Sequence, residues 1–329
     1  MTTLPAFTSQ EARRAKLLLA AKVASMMGRK LEEDDWQEVY CEAKGIPQTG
    51  WSNLHIDVNH DGLGVEFKML RVSQLRGRPI KEICGTSRMH PAATRSIRIE
   101  DIDLPPEDVM ADVLTQYSEL IRERTERVKS DSSDGRADMR TGWLLWEPEL
   151  QEFLYFEERM ERPNPEKFFA EWNETPARGI RKASKSLWIF DRVTGSKRFS
   201  VTTSAGIKIQ PYFDVPPPND PNVNYFRVQS EPLGEDTIVL WVSESTAALL
   251  REVIGSTDRQ AVSDAVSIAS DFGASDVSAE SSSSSFAVPI HISKEAFDVL
   301  ISTWDAVNDE HLIQKLIDAL KSIPDSCSP

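Results

Sequence analysis

The residues best suited to chemistry lie in one stretch: Leu54-His55-Ile56-Asp57-Val58-Asn59-His60-Asp61-Gly62-Leu63-Gly64-Val65-Glu66-Phe67-Lys68-Met69. Two alternating apolar and polar runs flank a polar, turn-forming segment, which is the pattern of a β-hairpin. On the second strand Val65, Phe67 and Met69 face one way, and Glu66 and Lys68 the other. Closing the hairpin on His60-Asp61 sets Ile56 opposite Val65 and His55 opposite Glu66. The apolar faces then coincide, so Asp57, Glu66 and Lys68 share the polar face. Two carboxylates with room between them suit Mg²⁺, a hard cation that prefers oxygen ligands and keeps several waters. Such an ion binds a phosphate oxygen and acidifies a bound water. A neighbouring lysine can orient or deprotonate that water and neutralise the crowded phosphate.

The acid-x-Lys spacing alone carries little weight, because it arises about twice by chance in a chain of this composition. It occurs at Glu42-Ala43-Lys44 and at Glu66-Phe67-Lys68. The first lies in a helical pattern, where positions two apart diverge. The second lies on a strand, where positions two apart converge. Asp61 is expected to shape the turn, and His55 and His60 lie within reach of the cluster without a pattern that makes them ligands.

An Asp followed nine residues later by Glu-x-Lys on an apolar strand, after an acidic helix, resembles the PD-(D/E)xK nuclease superfamily. GVEFKML and the basic stretch behind it look most like a type II restriction endonuclease. The resemblance covers roughly residues 32–146, and Ile56 stands where the family pattern has proline. It implies Asp57 and Glu66 as metal ligands, the backbone carbonyl of Phe67 as a further ligand, and Lys68 as the catalytic lysine. Some members add a helix glutamate, which makes Glu42 or Glu38 a candidate. The cofactor implied is Mg²⁺, with Mn²⁺ as a substitute, and the products are 5′-phosphate and 3′-hydroxyl ends.

The positioning elements follow from periodicity. Helices are expected over 9–29, with Ser9 as cap, and over 32–44, ended by Gly45-Ile46-Pro47. A strand is expected near 93–99, an amphipathic helix over 105–128, and strands at 142–146 and 153–158. This is an α/β arrangement with a mixed sheet, in the order helix, hairpin, strand, helix, strand. From Lys185 the pattern turns to β, and the chain closes in two amphipathic helices, with no internal repeat read. The expected division is a nuclease core over 1–170, a β-rich recognition or dimerisation region over 171–270, an acidic Ser-rich linker or loop over 271–287 and a helical segment over 288–329.

Net charge is −14, which on average argues against nucleic acid. The distribution is uneven: residues 231–329 carry 17 acidic and 5 basic side chains, a tail best read as solubilising or self-associating. Residues 62–98 carry eight basic and two acidic side chains, and residues 178–208 eight and one. A phosphate backbone responds to such local potential. The first segment supplies Arg71, Arg76, Arg78, Lys81, Arg88 and Arg95 as DNA contacts. The second supplies Arg181, Lys182, Lys185, Lys197 and Arg198, with Trp188 and Phe190 interleaved in the pattern of a β-ribbon able to enter a groove.

Three scattered cysteines and the lack of a long apolar run point to a cytoplasmic protein with reduced thiols and no membrane span. The sequence thus predicts a Mg²⁺-dependent endonuclease acting on double-stranded DNA, a homodimer on two-fold sites, with a companion DNA methyltransferase in the same system. The alternatives are a structure-specific repair nuclease on the same core, and a noncatalytic DNA-binding or assembly protein whose hairpin cluster is only a salt bridge.

Overall fold

A computed structural model describes residues 3–26, 28–47, 56–73, 75, 77–90, 97–177, 183–203, 208–270 and 286–323. A two-residue strand, β1 (Thr3–Leu4), leads into α1 (Ser9–Met26). Thr8, not Ser9, starts this helix: Thr8 Oγ1 accepts the Glu11 N–H and the Glu11 carboxylate accepts the Thr8 N–H. Helix α2 (Glu33–Lys44) opens on the same kind of box between Glu32 and Asp35, and stops at Gly45, whose φ of 69° admits the left-handed cap.

The hairpin β2 (Val58–His60) and β3 (Leu63–Arg71) turns on Asp61-Gly62, with φ of 40° and 83°. Two positive φ values in succession make the tight turn that matches strand twist. Val58 therefore lies opposite Val65, a slide of two residues from the expected closure on His60-Asp61. A slide of two leaves every side chain on its face. Regular pairing begins only at Val58, however, so Ile56 leaves the ladder and packs with Val128 and Met139.

After a short 3₁₀ turn (Ile80–Ile83) come β4 (Ser87–Met89), α3 (Pro106–Ser130), β5 (Asp138–Trp146) and β6 (Glu152–Arg159). There follow β7 (Phe168–Thr175), β8 (Ser184–Asp191), β9 (Lys197–Thr202), β10 (Lys208–Asp214) and β11 (Asn224–Arg227). The chain ends with β12 (Glu231–Pro232), β13 (Thr237–Ser243), α4 (Glu244–Ile254), α5 (Arg259–Ser270), β14 (Ala287–Ser293), α6 (Lys294–Thr303) and α7 (Asp309–Ser322).

The fold is mixed α/β, with three sheets among the described residues. The first has the order β1-β6-β5-β3-β2, with β11 also on β6. Only β3 and β5 pair in parallel, joined by the α3 crossover that parallel neighbours need. One face packs Val65, Phe67, Leu144 and Tyr155 against Leu19, Trp36 and Tyr40 of α1 and α2. On the other face Trp143 stacks on Phe213 at 3.8 Å, tying the first sheet to the second, β4-β10-β9-β8-β7. Helix α3 fills the second sheet's inner face, Val113 and Leu114 meeting Leu187, Ile189 and Val201. The strand expected near 93–99 does not form over Ile97–Ile99, and residues 91–96 lie outside the described ones; β4 instead joins the second sheet.

The third sheet, β12-β13-β14, joins the chain on the two sides of the stretch expected as a linker or loop at 271–287. Strands β13 and β14 stand on either side of that stretch, pair over seven residues, and share one core with α4 to α7. They also reveal an internal repeat with a constant offset of fifty residues. Leu240 matches Ile290, Val242 matches Ile292, Leu250 matches Leu300 and Val266 matches Leu316, all buried. Ser243 and Ser293 cap the first helix of each unit through the same bond, to Thr246 N and Ala296 N. Leu240 and Ile290 are direct partners in the antiparallel ladder, which gives the two βαα units a local two-fold relation.

Cys41 and Cys84 are free thiols. No helix among the described residues is long and apolar enough to cross a membrane.

Candidate active site

The bend before β2 decides the site. Because β2 stops at Val58, the Phe67 N–H on β3 loses its ladder partner, and the Asp57 side chain supplies one: Oδ2 accepts that N–H at 2.5 Å. The Asp57 carbonyl in turn accepts from Gln37 Nε2 of α2 at 2.7 Å. Asp57 is thus held from both ends, facing the strand that carries Glu66 and Lys68. In a strand the N–H and C=O of one residue point to the same side, so the Phe67 carbonyl opens toward Asp57 as well.

Glu66 and Lys68 project together from β3, with Lys68 Nζ 2.6 Å from Glu66 Oε1. Helix α3 closes over them. Arg124 Nη1 lies 3.3 Å from Glu66 Oε2, and Arg124 Nε is buried without a partner. Close approach of α3 depends on Gly64, where a Cβ would stand 2.8 Å from Val128 Cγ2 and 2.7 Å from Met139 Sδ. Tyr117, two turns before Arg124 on α3, faces the same charges: burial raises its pKa, and Lys68, Glu66 and Arg124 all act on it.

The third carboxylate is Glu33, first residue of α2. Much of its side chain meets solvent, yet its carboxyl group is crowded by the cluster, and desolvation there together with the Glu66 charge raises its pKa. Asp57 is pushed up to about 8, first by burial and then by Glu66 and Glu33; the Phe67 N–H and Lys68 offset this only in part. Burial alone would lower Lys68, but Glu66, Asp57 and Glu33 outweigh it and raise its pKa, so it stays an ammonium at neutral pH. Three carboxyl groups face two cations, and Asp57 meets the excess by keeping its proton at neutral pH.

The donors suit a hard divalent ion: the Asp57 and Glu66 carboxylates, with the Phe67 carbonyl beside them. No three His, Cys, Asp or Glu side chains among the described residues converge as a ready-made metal cage. An ion here would therefore rely on these two carboxylates, the carbonyl, water and a substrate oxygen, which is how Mg²⁺ is commonly held. Glu66 would have to yield part of its contact with Lys68 or Arg124.

Glu42 and Glu38 stand elsewhere. Glu42 lies 3.6 Å from Arg14 and Glu38 bonds Lys22, both toward α1. The helix carboxylate that reaches the cluster is Glu33, a turn and more earlier. Asp61 serves the turn, Oδ1 accepting the Ser133 N–H at 2.8 Å, and His60 is exposed at the end of β2. His55 lies outside the described residues.

Many of the basic side chains already have partners. Arg78 pairs with Glu82 at 2.9 Å, Arg198 with Asp214 at 2.8 Å, and Arg88 Nε donates to Thr86 Oγ1. Lys185 is turned to the inner side, over Trp172 and onto the Ile102 carbonyl. Arg71 lies over Trp146 and Lys81 over Tyr225. Lys197 lies over Trp188, and β8, which bears Trp188, sits between β7 and β9 within a five-stranded sheet rather than in a free ribbon. Arg76, Arg95, Arg181 and Lys182 lie outside the described residues.

Sequence reading missed Glu33, Gln37, Tyr117 and Arg124. Glu33 and Gln37 are four apart, and Tyr117 and Arg124 seven apart, so each pair shares a helix face. That spacing was a usable signal, hidden in an acidic run and in a helix read for its apolar stripe. In comparisons with known proteins, no family model, no curated protein and no solved structure matches the chain.

Proposed function

We propose that the chain is a Mg²⁺-dependent DNA endonuclease of the PD-(D/E)xK kind, most like a type II restriction enzyme. One observation carries the reading: Asp57, Glu66 and Lys68 meet at one edge of the first sheet, with Glu33 and Arg124 brought to them from two helices. Asp57, Glu66 and the Phe67 carbonyl would hold the ion, which when bound supplies Lewis-acid chemistry at a phosphate oxygen. Lys68, kept charged by its carboxylate neighbours, acts as a hydrogen-bond donor that orients water and offsets phosphate charge, not as a base. A water oxygen forms the new bond to phosphorus and the P–O3′ bond breaks, the leaving 3′ oxygen taking a proton from a solvent water to become the 3′-hydroxyl. Glu33, with its raised pKa at the open rim, accepts the proton of the attacking water.

The test is plasmid DNA incubated with the protein and Mg²⁺. Discrete fragments with 5′-phosphate ends are expected, and they vanish in Lys68→Ala. Unchanged cleavage in that variant removes Lys68 from the mechanism; no cleavage by the wild type removes the reading.

A rival reading draws on the occupied Glu66 oxygens, one held by Lys68 and one by Arg124. In it the cluster is an ion-pair network in a noncatalytic DNA-binding or assembly protein. Calorimetry with Mn²⁺ separates the two: no heat from the wild type favours the network.

A further inference from the structure

The second sheet has one face filled and one open. Ala170, Leu187, Ile189, Phe199, Val201 and Ile209 point inward to α3. Alternation therefore sets Phe169, Trp188, Phe190 and Tyr212 on the outer face, and the bulge between Phe199 and Lys197 on β9 turns Lys197 there as well, opposite Phe190, so the group spans four neighbouring strands. All five are partly solvent-exposed, and Met89, paired with Tyr212 on β4, extends the face with an exposed side chain. Phe169 and Phe190 stack at 5.1 Å with planes 16° apart, and Trp188 meets Phe190 edge-on at 6.4 Å.

Lys197 makes this more than an apolar patch. Its Nζ lies 3.3 Å from the centre of the Trp188 ring and 5.1 Å from that of Tyr212. Among the described residues no carboxylate pairs with it, and its surroundings act on it by burial alone. Burial among the rings lowers its pKa to about 8. A desolvated cation without an anion, set in a row of ring faces, asks for a ligand with a phosphate and a flat π surface. Glu171, exposed and paired with Trp188 on β7, leaves the side toward Lys197 and Tyr212 as the one free of that acid.

We propose that this face binds unpaired nucleotides, bases stacking on Trp188, Phe190 and Tyr212 while a phosphate answers Lys197. Stacking on exposed strand aromatics tolerates any base, because each has a π face, and it requires that the base be out of its duplex. A second copy of the chain would cover the rings but would bring no phosphate. The face lies across the second sheet from the cluster described above, and only the edge strand β4 reaches the first sheet, where His90 bonds the Met69 carbonyl. Binding on this face is independent of cleavage.

The experiment is fluorescence anisotropy of labelled dT20 and of a 20-base-pair duplex with the full chain in EDTA. Tighter binding of dT20 is expected, with quenching of tryptophan fluorescence. Trp188→Leu and Phe190→Leu, which keep an apolar side chain on the sheet, should each weaken dT20 binding by about tenfold. Lys197→Gln should reduce the salt dependence by about one phosphate contact. Lys294→Gln, an exposed residue on α6 outside both the cluster and this face, should bind dT20 as the wild type does. Failure of dT20 to bind, or equal binding by the leucine variants, overturns the proposal. So does loss of a dimer in Trp188→Leu with oligonucleotide binding intact, which would make the face a contact between copies. A protein that cleaves plasmid but ignores dT20 loses this proposal alone.

Discussion

Asp57 Oδ2 takes the Phe67 N–H at 2.5 Å, so a side chain completes the ladder where the backbone of β2 has turned away. The carboxylate is thereby fixed among like charges, in a place that folding alone would not favour. Replacing it should show the conflict. Asp57→Asn keeps an oxygen for Phe67 and cannot ionise, so it should raise stability by ~1–2 kcal/mol at pH 9, where Asp57 is charged, while abolishing cleavage, as is common where function strains a site. Thermal unfolding at pH 9 and plasmid assays check both; a destabilised Asp57→Asn at that pH would contradict the crowding of Asp57 by like charge.

The pH dependence has a definite sign. Asp57 is raised from 3.8 to about 8, so the folded state binds its proton more tightly than the unfolded chain. Its contribution to stability is fully present below pH 3.8 and is lost as pH rises through about 8. A divalent ion must displace that proton. Mn²⁺ affinity should therefore climb with pH up to about 8 and level off above it, with proton release on binding. Calorimetry in buffers of different ionisation enthalpy measures the release; a flat affinity between pH 6 and 8 would count against Asp57 as a ligand.

Glu33 and Glu42 sit on one helix but have opposite surroundings, the cluster and Arg14 respectively. Glu33→Gln should lower cleavage at least tenfold and shift its pH profile to lower pH, since Asp57 loses a repelling charge. Glu42→Gln should cleave at the wild-type rate. Equal effects from both would remove Glu33 from the site.

Arg124 holds Glu66 from α3. Arg124→Met should free Glu66 Oε2 and tighten Mn²⁺ binding about two- to fivefold, the equivalent of ~0.5–1 kcal/mol. Arg124→Lys should fall between the two. Titration calorimetry reads this directly, and unchanged affinity in Arg124→Met would show that the contact does not compete with the ion.

The two βαα units make a stability prediction. Leu250 and Leu300 are equivalent and fully buried in one core. Leu250→Ala and Leu300→Ala should each cost about 2–5 kcal/mol, and they should lower the same cooperative transition in denaturant. Separate transitions for the two variants would mean that the units fold independently across residues 271–287.

Much of the site was legible because strand geometry is local. Alternation puts Glu66 and Lys68 on one side whatever the register, and the slide from His60-Asp61 to Asp61-Gly62 closure changed no face. The turn pair, the caps of α2 and the crossover helix α3 likewise follow from neighbouring residues. What sequence alone could not decide was which distant side chains come to that strand. Glu42 and Glu33 are both acids on α2, and only its docking on the first sheet, through Trp36 and Tyr40, selects Glu33. Arg124 arrives because Gly64 lets α3 come close, and Lys185 and Arg198 are drawn onto Ile102 and Asp214, partners distant in sequence. The fifty-residue repeat was hidden because burial, not identity, relates its halves: Leu240 with Ile290, Val266 with Leu316. Local backbone geometry is encoded residue by residue, whereas charge pairing and core formation are settled by long-range packing, where many sequences satisfy one pattern.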